Sequence, residues 1–490
     1  MAKNLMIQGT MSGAGKSILT AGILRALSQD GYRVAPFKSQ NMALNSYVTI
    51  EGKEIGRAQA LQAFASYLEP NADMNPILLK PMGDTTSQVI VGGEPVSNMR
   101  AADYFKIKKD FIPDILRSYE RLADESDVIV IEGAGSPVEI NLRENDIVNM
   151  GLAELLDAPV LLAGNIDPGG VFAQLLGTVS LMPQNERDRI KGLIINKFRG
   201  DVSLLEPGLD MFKAYCDIPF AGVVPYVKLQ LDEEDSVSDK LKLKSGFDAG
   251  SIVKIAVIRL PYISNYTDFT VFDKAEGVEV IFTDSREALR EADLIIIPGT
   301  KNTMGDVKWL KETGLYKEIQ GRGSAGAMVI GICGGFQMLG MTIDDEVGAE
   351  KKGSEEGLGL LHVSTSFGSE KTLKQVAGTI EGADGIYASL NGCSIKGYEI
   401  HMGKSVRHDD HSSRYVVTKD NILGSYVHGI FDNKDFAERI LQIITERKGI
   451  SAHSFELESK SDVQERELNK LADTLRENLD WKLIYKAIGL

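Results

Sequence analysis

The stretch NLMIQGTMSGAGKS, residues 4–17, joins a short apolar run to a glycine-rich loop that ends in a lysine and a serine. Glycines in such a loop let successive backbone N–H groups converge on phosphate oxygens, and the N-terminus of the following helix favours negative charge. The stretch therefore predicts a phosphate loop in which Ser17 offers its hydroxyl to Mg²⁺. Thr10 stands where the common spacing has a glycine, and Gly9 precedes it. The predicted nucleotide-binding residues of the loop are Thr10, Gly13, Gly15, Lys16 and Ser17.

Short apolar runs alternate with helical patterns along most of the chain. The runs that predict buried strands are Asn4–Gln8, Asp127–Ile131, Pro159–Ala163, Gly192–Asn196, Ile255–Leu260, Val278–Phe282, Leu294–Ile297 and Met328–Ile332. This rhythm of strand and helix is typical of an α/β fold with parallel sheets that helices cover on both faces. We predict two such domains, at residues 1–230 and 252–445, joined by a charged linker at 231–251. A helical tail at 446–490 follows, either docked or mobile.

Composition excludes several classes of protein. The 490-residue chain is 43% hydrophobic and carries a formal net charge of -15, so it lacks the basic surface that broad nucleic-acid binding requires. No apolar run reaches the roughly 18 residues of a membrane span, and the start MAKNLMIQGT has no signal-peptide pattern. Three cysteines in a chain of this length do not make a disulfide framework. We therefore expect a cytoplasmic protein without nucleic-acid or membrane partners.

Two polar residues stand at the ends of predicted strands in the first half. Glu132 closes the run DVIVIE, residues 127–132, where a carboxylate can hold magnesium directly or through water. The alternative is that Glu132 only caps the glycine turn after it. Asn196 opens NKFR, residues 196–199, which resembles the guanine-reading pattern Asn-Lys-x-Asp. Because Arg199 replaces the aspartate, we expect adenine, hence ATP, with Asn196 among its binding residues.

The segment GICGG, residues 331–335, has the form of a nucleophile elbow with cysteine as the nucleophile. Such an elbow is a sharp turn from strand to helix, and it needs small residues around the exposed side chain. Cys333 is therefore the predicted nucleophile, with Gly299 and Gly334 as backbone donors of an oxyanion hole. His428, in GSYVHG, residues 424–429, is the predicted general base and acid. All six histidines lie at or beyond His362, so the chemistry of the first half runs without histidine.

Ten segments between about residue 5 and residue 433 resemble those of the cobyric acid synthase family, which belongs to the amidotransferases of cobalamin biosynthesis. They are QGTMSGAGKS, APFKSQNMALNS, EIGRAQALQA, DMNPILLKP, IEGAGSPVEINLRENDIVNMGLAE, INKFRGD, PGTKNTMGDVKWL, GICGGFQMLG, GYEIHMG and YVHGIFDN. The resemblance implies a phosphate-loop domain similar to dethiobiotin synthetase, followed by a class I (triad-type) glutamine amidotransferase domain. It also implies an adenosylcorrinoid substrate, glutamine as nitrogen donor, and ATP with Mg²⁺.

The activity that this resemblance implies is amidation of the b, d, e and g carboxylates of adenosylcobyrinic acid a,c-diamide.

The chain departs from family patterns at several positions. Ile430 stands where many class I members have a glutamate two residues after the histidine, which leaves a Cys333–His428 pair and an open question about what orients the imidazole. Asn165 and Pro168 stand where an aspartate and an arginine are expected.

Residues that face the substrate are predicted in two polar segments: FKSQNMALNS, residues 37–46, at the end of the predicted strand RVAPF, residues 33–37, and the segment after Glu132. They either bind the carboxylates and amides of the corrinoid or form hydrogen bonds with backbone groups of their own loops. The residues concerned are Lys38, Gln40, Asn41, Asn45 and Asp146.

Other functions fit the same architecture. The nearest is amidation of the a and c carboxylates, against which FKSQNMALNS and EIHMG, residues 399–403, argue. A non-catalytic phosphate-loop regulator with a vestigial amidotransferase domain is the second, and intact Cys333 and His428 argue against it. Amidation of a cell-wall precursor is the third, and the choice of substrate separates it from the others.

Overall fold

A computed structural model of the protein describes residues 2–82, 85–231, 243–409, 412–450 and 455–490. The chain divides into two compact units. The first contains Met1–Ala43, Lys53–Ser236 and Val463–Leu490, and the second contains Leu44–Gly52 and Val237–Asp462. Within the predicted linker, residues 232–242 lie outside the described residues.

The first unit is built on a sheet of six parallel strands. In order across the sheet they are Phe220–Pro225, Ile190–Phe198, Val160–Asn165, Lys3–Gly9, Val128–Glu132 and Val34–Phe37. All four strands predicted in this half are present, and the prediction of a parallel α/β fold is confirmed. Because parallel strands end at the same edge of a sheet, the phosphate loop lies beside the ends of its neighbours.

Helices surround this sheet. They are Lys16–Gln29, Arg57–Ala65, Ala101–Ile107, Ile112–Glu125, Met150–Leu155, Val171–Leu181, Gln184–Arg187 and Glu206–Phe212. A smaller sheet of the same unit contains, in order, Gln40–Met42, Ile77–Pro81, Thr86–Val91 and Glu94–Arg100, and a short strand covers Glu54–Gly56. The small sheet carries two of the predicted substrate residues, Gln40 and Asn41.

The C-terminal tail supplies two helices, Lys460–Asn478 and Trp481–Ile488. From Val463 onward it belongs to the first unit. Glu465 forms a bidentate ion pair with the buried guanidinium of Arg25, with N–O distances of 2.8 and 2.9 Å. Leu471 and Leu475 join the apolar core on the same side of the sheet. In this structure the tail is docked on the helix that follows the phosphate loop.

The second unit contains another mainly parallel sheet. Its strands are, in order, Val278–Thr283, Val253–Ile258, Leu294–Ile297, Met328–Ile332, Ile422–Ser425 and the antiparallel edge strand Val417–Lys419. The four strands predicted for this half are all present. The helices of this unit that lie before the tail are Arg286–Glu291, Thr303–Thr313, Leu315–Ser324, Gly334–Leu339 and Lys434–Arg447.

A second sheet of this unit contains Gly353–Glu356, Thr342–Asp345, Val363–Thr379, Ser394–Arg407 and Val427–His428. The short strand Ser46–Val48 also belongs to this unit, although it stands early in the chain. Across the described ranges, no helix has both the length and the apolar character needed to cross a membrane.

Candidate active sites

The phosphate loop leaves the strand Lys3–Gly9 and enters the helix Lys16–Gln29. Gly15, the residue before the helix, has a φ of 87°, in the left-handed region that glycine adopts without steric cost. A Cβ atom at Gly15 would also lie 2.2 Å from Nδ2 of Asn196. Both conditions restrict position 15 to glycine. The Lys16 ammonium is buried and donates to the carbonyl oxygens of Met11 and Gly135, each at 3.1 Å.

Polar side chains from neighbouring strand ends support the loop. Asn196 donates through Nδ2 to the carbonyl of Ala14 at 2.8 Å, and Asn165 donates to the carbonyl of Gly13 at 3.3 Å. Thr10 donates through its hydroxyl to Oε1 of Gln174. The structure thus brings the predicted residues Thr10 and Asn196 to the loop as supporting groups, and their contact with nucleotide stays a prediction.

Glu132 lies buried at the centre of a polar cluster beside the loop. Its Oε1 accepts from Ser17 Oγ and from Lys38 Nζ, both at 2.8 Å, and its Oε2 accepts from Gln62 Nε2 at 2.6 Å. A hydroxyl and a carboxylate oxygen are ligands that Mg²⁺ prefers, so Ser17 and Glu132 fit a magnesium ion that is shared with the phosphates.

The backbone amides of the glycine turn after Glu132 donate hydrogen bonds to groups other than the Glu132 carboxylate. The amide of Gly133 donates to the carbonyl of Ile7 at 2.9 Å, and that of Ala134 donates to Oδ1 of Asn149 at 3.1 Å. The carboxylate of Glu132 is therefore not needed as a cap. The contact of Glu132 with magnesium stays a prediction.

The predicted substrate residues have different surroundings. Lys38 forms a buried ion pair with Glu132, Gln40 accepts from the hydroxyl of Tyr104 at 2.7 Å, and Asn41 donates to Gln59 at 2.9 Å. Asn45 lies in the segment of the second unit, and its Oδ1 is buried without a hydrogen-bond partner among the described residues.

Asp146 acts as a backbone cap in this structure. Its carboxylate accepts from the amides of Val148, Asn149 and Gly151 at 2.9 to 3.0 Å. The second of the two predicted roles, satisfying loop backbone, therefore describes Asp146. Gln62, which contacts Glu132 directly, was not predicted, although its spacing of three residues from Gln59 on one helix face is a signal.

The elbow of the second unit joins the strand Met328–Ile332 to the helix Gly334–Leu339. Cys333 lies between them with φ 53° and ψ -109°. Residues other than glycine rarely adopt this backbone conformation, and where it occurs it is often at functional turns. Its neighbours are small because the turn is tight. A Cβ atom at Gly335 would lie 1.9 Å from the carbonyl oxygen of Ile297.

His428 and Asp268 complete the site. Nδ1 of His428 lies 2.7 Å from Oδ2 of Asp268, and the amide of Gly429 donates to Oδ1 of Asp268 at 3.2 Å. Burial alone would lower the pKa of His428, but the carboxylate of Asp268 and the charge on Cys333 outweigh it and raise the pKa to about 9. The arrangement holds an imidazolium beside the Cys333 sulfur, with Asp268 as the group that orients the ring.

The sequence did not predict Asp268. It lies in a one-turn 3-10 helix, Tyr266–Phe269, that follows the strand Val253–Ile258. The available signal was the polar stretch SNYTD, residues 264–268, after the carboxyl end of a buried strand. Ile430, where a glutamate was expected, is a buried apolar residue.

The two predicted oxyanion donors lie around the Cys–His pair. A Cβ atom at Gly299 would lie 2.9 Å from Cε1 of His428, and one at Gly334 would lie 3.2 Å from the amide nitrogen of Thr300. The loop after the strand Leu294–Ile297 therefore approaches the elbow. The buried carboxyl of Asp306 accepts from the hydroxyl of Thr300, and burial raises the pKa of Asp306 to about 7.

Comparison with known proteins agrees with this geometry. Residues 5–236 match the CobQ/CobB/MinD/ParA nucleotide binding domain, and residues 254–436 match the CobB/CobQ-like glutamine amidotransferase domain. The chain is 48% identical to the cobyric acid synthase of Ruminiclostridium cellulolyticum, covering 100% of this chain and 97% of that protein. It is also 48% identical to the cobyric acid synthase of Lachnoclostridium phytofermentans, over 99% of both chains. With two domains of these kinds and matches along its whole length, the chain belongs to the cobyric acid synthase family of glutamine-hydrolysing ligases.

Proposed function

We propose that this enzyme amidates the b, d, e and g side-chain carboxylates of adenosylcobyrinic acid a,c-diamide and produces adenosylcobyric acid. Each amide would consume one ATP and one glutamine. The observation that carries the proposal is the presence, on one chain of this family, of a phosphate loop with an adjacent carboxylate and of a Cys333–His428–Asp268 triad. The first site would activate a carboxylate, and the second would release ammonia from glutamine.

In the first step, a substrate carboxylate oxygen attacks the γ-phosphorus of ATP, forming an acyl phosphate and releasing ADP. Ammonia then attacks the acyl carbon, and inorganic phosphate leaves with the electron pair of the broken C–O bond. Lys16, which its loop holds through a hydrogen bond to the carbonyl of Met11, would neutralise charge on the transferring group. Ser17 and Glu132 would hold Mg²⁺, which supplies further neutralisation of the phosphates when it is bound. Lys38 would keep the charge of Glu132 balanced.

In the second step, the sulfur of Cys333 attacks the carboxamide carbon of glutamine. His428 donates its proton to the departing nitrogen, so that ammonia leaves and a glutamyl thioester remains. Water then attacks the thioester carbon while His428 accepts a proton from it, the C–S bond breaks with its electron pair returning to the Cys333 sulfur, and glutamate is released. Asp268 would hold the Nδ1 proton of His428 throughout. The backbone amides of Gly299 and Gly334 would stabilise the oxyanion at the carboxamide carbon.

The test is mass spectrometry of adenosylcobyrinic acid a,c-diamide incubated with enzyme, Mg-ATP and glutamine. Each amidation replaces a hydroxyl group by an amino group and lowers the mass by about one unit. We expect four such steps with the wild-type enzyme. Cys333→Ala should show none with glutamine and all four with ammonium salt, because only the glutaminase step needs the sulfur.

The alternatives give different results. Amidation of cobyrinic acid at two carboxylates, without further reaction of the diamide, would indicate the a,c-diamide synthase activity instead. Hydrolysis of ATP and glutamine without any change in the corrinoid would remove the corrinoid as substrate. Absence of glutamine hydrolysis in the folded wild-type protein would indicate a regulator with a vestigial amidotransferase domain.

A further inference from the structure

Residues 298–302, which we call the PGTKN loop, adjoin both the imidazole of His428 and the nucleophile elbow. On the first side, a Cβ atom at Gly299 would lie 2.9 Å from Cε1 of His428. On the second side, a Cβ atom at Gly334 would lie 2.6 Å from Cγ2 of Thr300. The backbone of this loop therefore borders the space in which the carboxamide of glutamine would react.

Two backbone amides of the PGTKN loop can bind a ligand. Gly299 and Thr300 are buried, and within the described ranges neither of their amides donates a hydrogen bond to another group of the protein. Buried amides without a partner are rare, because such a group costs free energy comparable to that of a lost hydrogen bond. The oxyanion on the carboxamide carbon of glutamine would be a partner for these amides, and it exists only during the reaction.

The hydroxyl of Thr300 connects the PGTKN loop to the helix Thr303–Thr313. It donates to Oδ2 of Asp306, which lies in the first turn of this helix. The hydroxyl oxygen also accepts from the amide of Asn302 at 3.1 Å and lies 3.0 Å from the carbonyl oxygen of Tyr262. One side chain therefore fixes the turn of the loop and joins it to a helix.

Asp306 is a buried carboxyl for which the reaction steps above have no use. Its side chain is fully buried, and its Oδ1 has no hydrogen-bond partner among the described residues. Burial of a carboxyl is costly, and it raises the pKa of Asp306 to about 7. An apolar residue of similar size would avoid this cost, so the packing of the core does not account for a carboxyl at this position. Its contact with Thr300 does account for it.

We propose that Thr300 and Asp306 are positioning residues of the glutaminase. The carboxyl of Asp306 holds the hydroxyl of Thr300, and this hydroxyl holds the amides of Gly299 and Thr300 where the oxyanion forms. In this role neither side chain touches the reacting atoms, because both act through the backbone of the loop. The inference rests on the proposed function in so far as Cys333 hydrolyses glutamine. Since the oxyanion develops in the transition state, displacement of the loop should lower kcat and leave KM unchanged.

The test measures kcat and KM for glutamine hydrolysis by the full chain, with Mg-ATP in every assay and no corrinoid. Thr300→Val keeps the shape of the side chain and removes the hydroxyl, whereas Thr300→Ser keeps the hydroxyl. We expect kcat of Thr300→Val to fall about 30-fold with KM unchanged, and Thr300→Ser to restore most of the loss. Thr445→Val is the matched control, since it also removes a buried threonine hydroxyl that is bonded to a backbone carbonyl, that of Leu441, in the same unit.

A second measurement separates the loop from the nucleophile. Iodoacetamide alkylates a thiolate by displacement at its CH₂ carbon: the C–S bond forms while the C–I bond breaks with its electron pair, and no oxyanion develops. Mass spectrometry of the peptide that contains Cys333 measures this rate. The rate should be the same in Thr300→Val and in the wild type. An equal fall of alkylation and of glutamine hydrolysis would overturn the proposal, because the substitution would then have disturbed Cys333 and His428 themselves.

The role of Asp306 is tested through Thr300. Asp306→Asn keeps the volume and removes the charge that holds the hydroxyl, so kcat should fall. The double variant with Thr300→Val should be no slower than Thr300→Val alone, because residues that act through one another are not additive. Additive losses would refute the role of Asp306, and an unchanged kcat in Thr300→Val would overturn the whole proposal. Failure to amidate the corrinoid would refute the proposed substrate and leave these glutaminase results intact.

Discussion

The two candidate sites differ in how they handle charge and protons. The phosphate-loop site contains two lysines, Lys16 and Lys38, and the carboxylate of Glu132, which pairs with Lys38, together with backbone amides. The described first unit contains no histidine, because all six lie at or beyond His362. Phosphoryl transfer needs positioning and charge neutralisation, and the charged side chains and backbone amides of the loop can provide both.

The glutaminase site instead depends on a group that must gain and lose a proton. His428 donates to the leaving nitrogen and then accepts from water, and its pKa is set by buried neighbours. Its three working groups come from distant parts of the chain, with Asp268 160 residues before His428. The difference predicts that mutations at one site change salt and metal dependence, whereas mutations at the other change the pH profile.

Asp268→Asn should give the largest effect. The amide cannot hold the Nδ1 proton as the carboxylate does, so we expect glutamine hydrolysis to fall about 1,000-fold. Loss of the carboxylate also removes the charge that raises the pKa of His428 to about 9, so the imidazolium deprotonates at lower pH and the alkaline limit of activity moves to lower pH. Steady-state rates of glutamate release measured against pH test both effects. Asp273→Asn, at an exposed aspartate nearby, is the control; an unchanged pH limit in Asp268→Asn would contradict the role of this carboxylate.

Glu132→Gln should lower amide formation and leave the pH profile of glutamine hydrolysis unchanged, the opposite of Asp268→Asn. The substitution keeps the shape but removes the charge that would hold magnesium, and it leaves Lys38 without its buried counter-charge. We expect amide formation to fall about 100-fold with glutamine and with ammonium salt alike, while the pH profile of basal glutamine hydrolysis does not move. Varying the magnesium concentration tests the assignment, since the variant should need more of it. Glu125→Gln, at an exposed glutamate before the same strand, should behave as wild type. A normal magnesium requirement in Glu132→Gln would exclude this residue from the metal site.

The same contrast explains which parts the sequence predicted. The phosphate loop is contiguous, and its glycines, lysine and serine are specified by one local turn, so motif and structure coincide. Cys333 and His428 each stand in a short motif of their own. Asp268 stands in none, because its role depends only on where a loop packs after a strand ends.

The sequence pattern also did not predict which distant residues contact the short segments of the chain. Residues 44–52 follow the strand Gln40–Met42 of the first unit, yet they belong to the second unit. An aspartate can serve as a ligand, but the carboxylate of Asp146 accepts hydrogen bonds from three backbone amides. The alternation and spacing of apolar residues indicate burial and backbone geometry, but they do not indicate which distant residues contact a given side chain.

Gly15→Ala should give a smaller effect that is confined to the nucleotide site. The substitution introduces strain of roughly 1–2 kcal/mol at a left-handed position and a collision with Asn196. We expect KM for ATP to rise about tenfold, since 1.4 kcal/mol corresponds to that factor, with no change in glutamine hydrolysis measured without ATP. Gly177→Ala is the matched control, because a Cβ there meets no atom within 4 Å and lies in a helix, where alanine is favoured. An unchanged KM for ATP in Gly15→Ala would show that the loop tolerates a different conformation.

Glu465→Gln should have the smallest effect and should leave both activities unchanged. It removes the partner of Arg25, whose guanidinium is buried, but Glu465 itself is half exposed, so water compensates part of the loss. The ring of Tyr67, with its centroid 3.9 Å from Cζ of Arg25, still covers the cation. We therefore expect the free energy of unfolding to fall by about 1 kcal/mol, measured by urea titration of the full chain with an unchanged m-value. Glu477→Gln, at an exposed position on the same helix, controls for the charge change. Because the helix Lys16–Gln29 begins at the phosphate loop, a loss of ATP affinity in Glu465→Gln would extend the nucleotide site to the C-terminal tail, whereas a loss of stability alone keeps the tail as a support of the first unit.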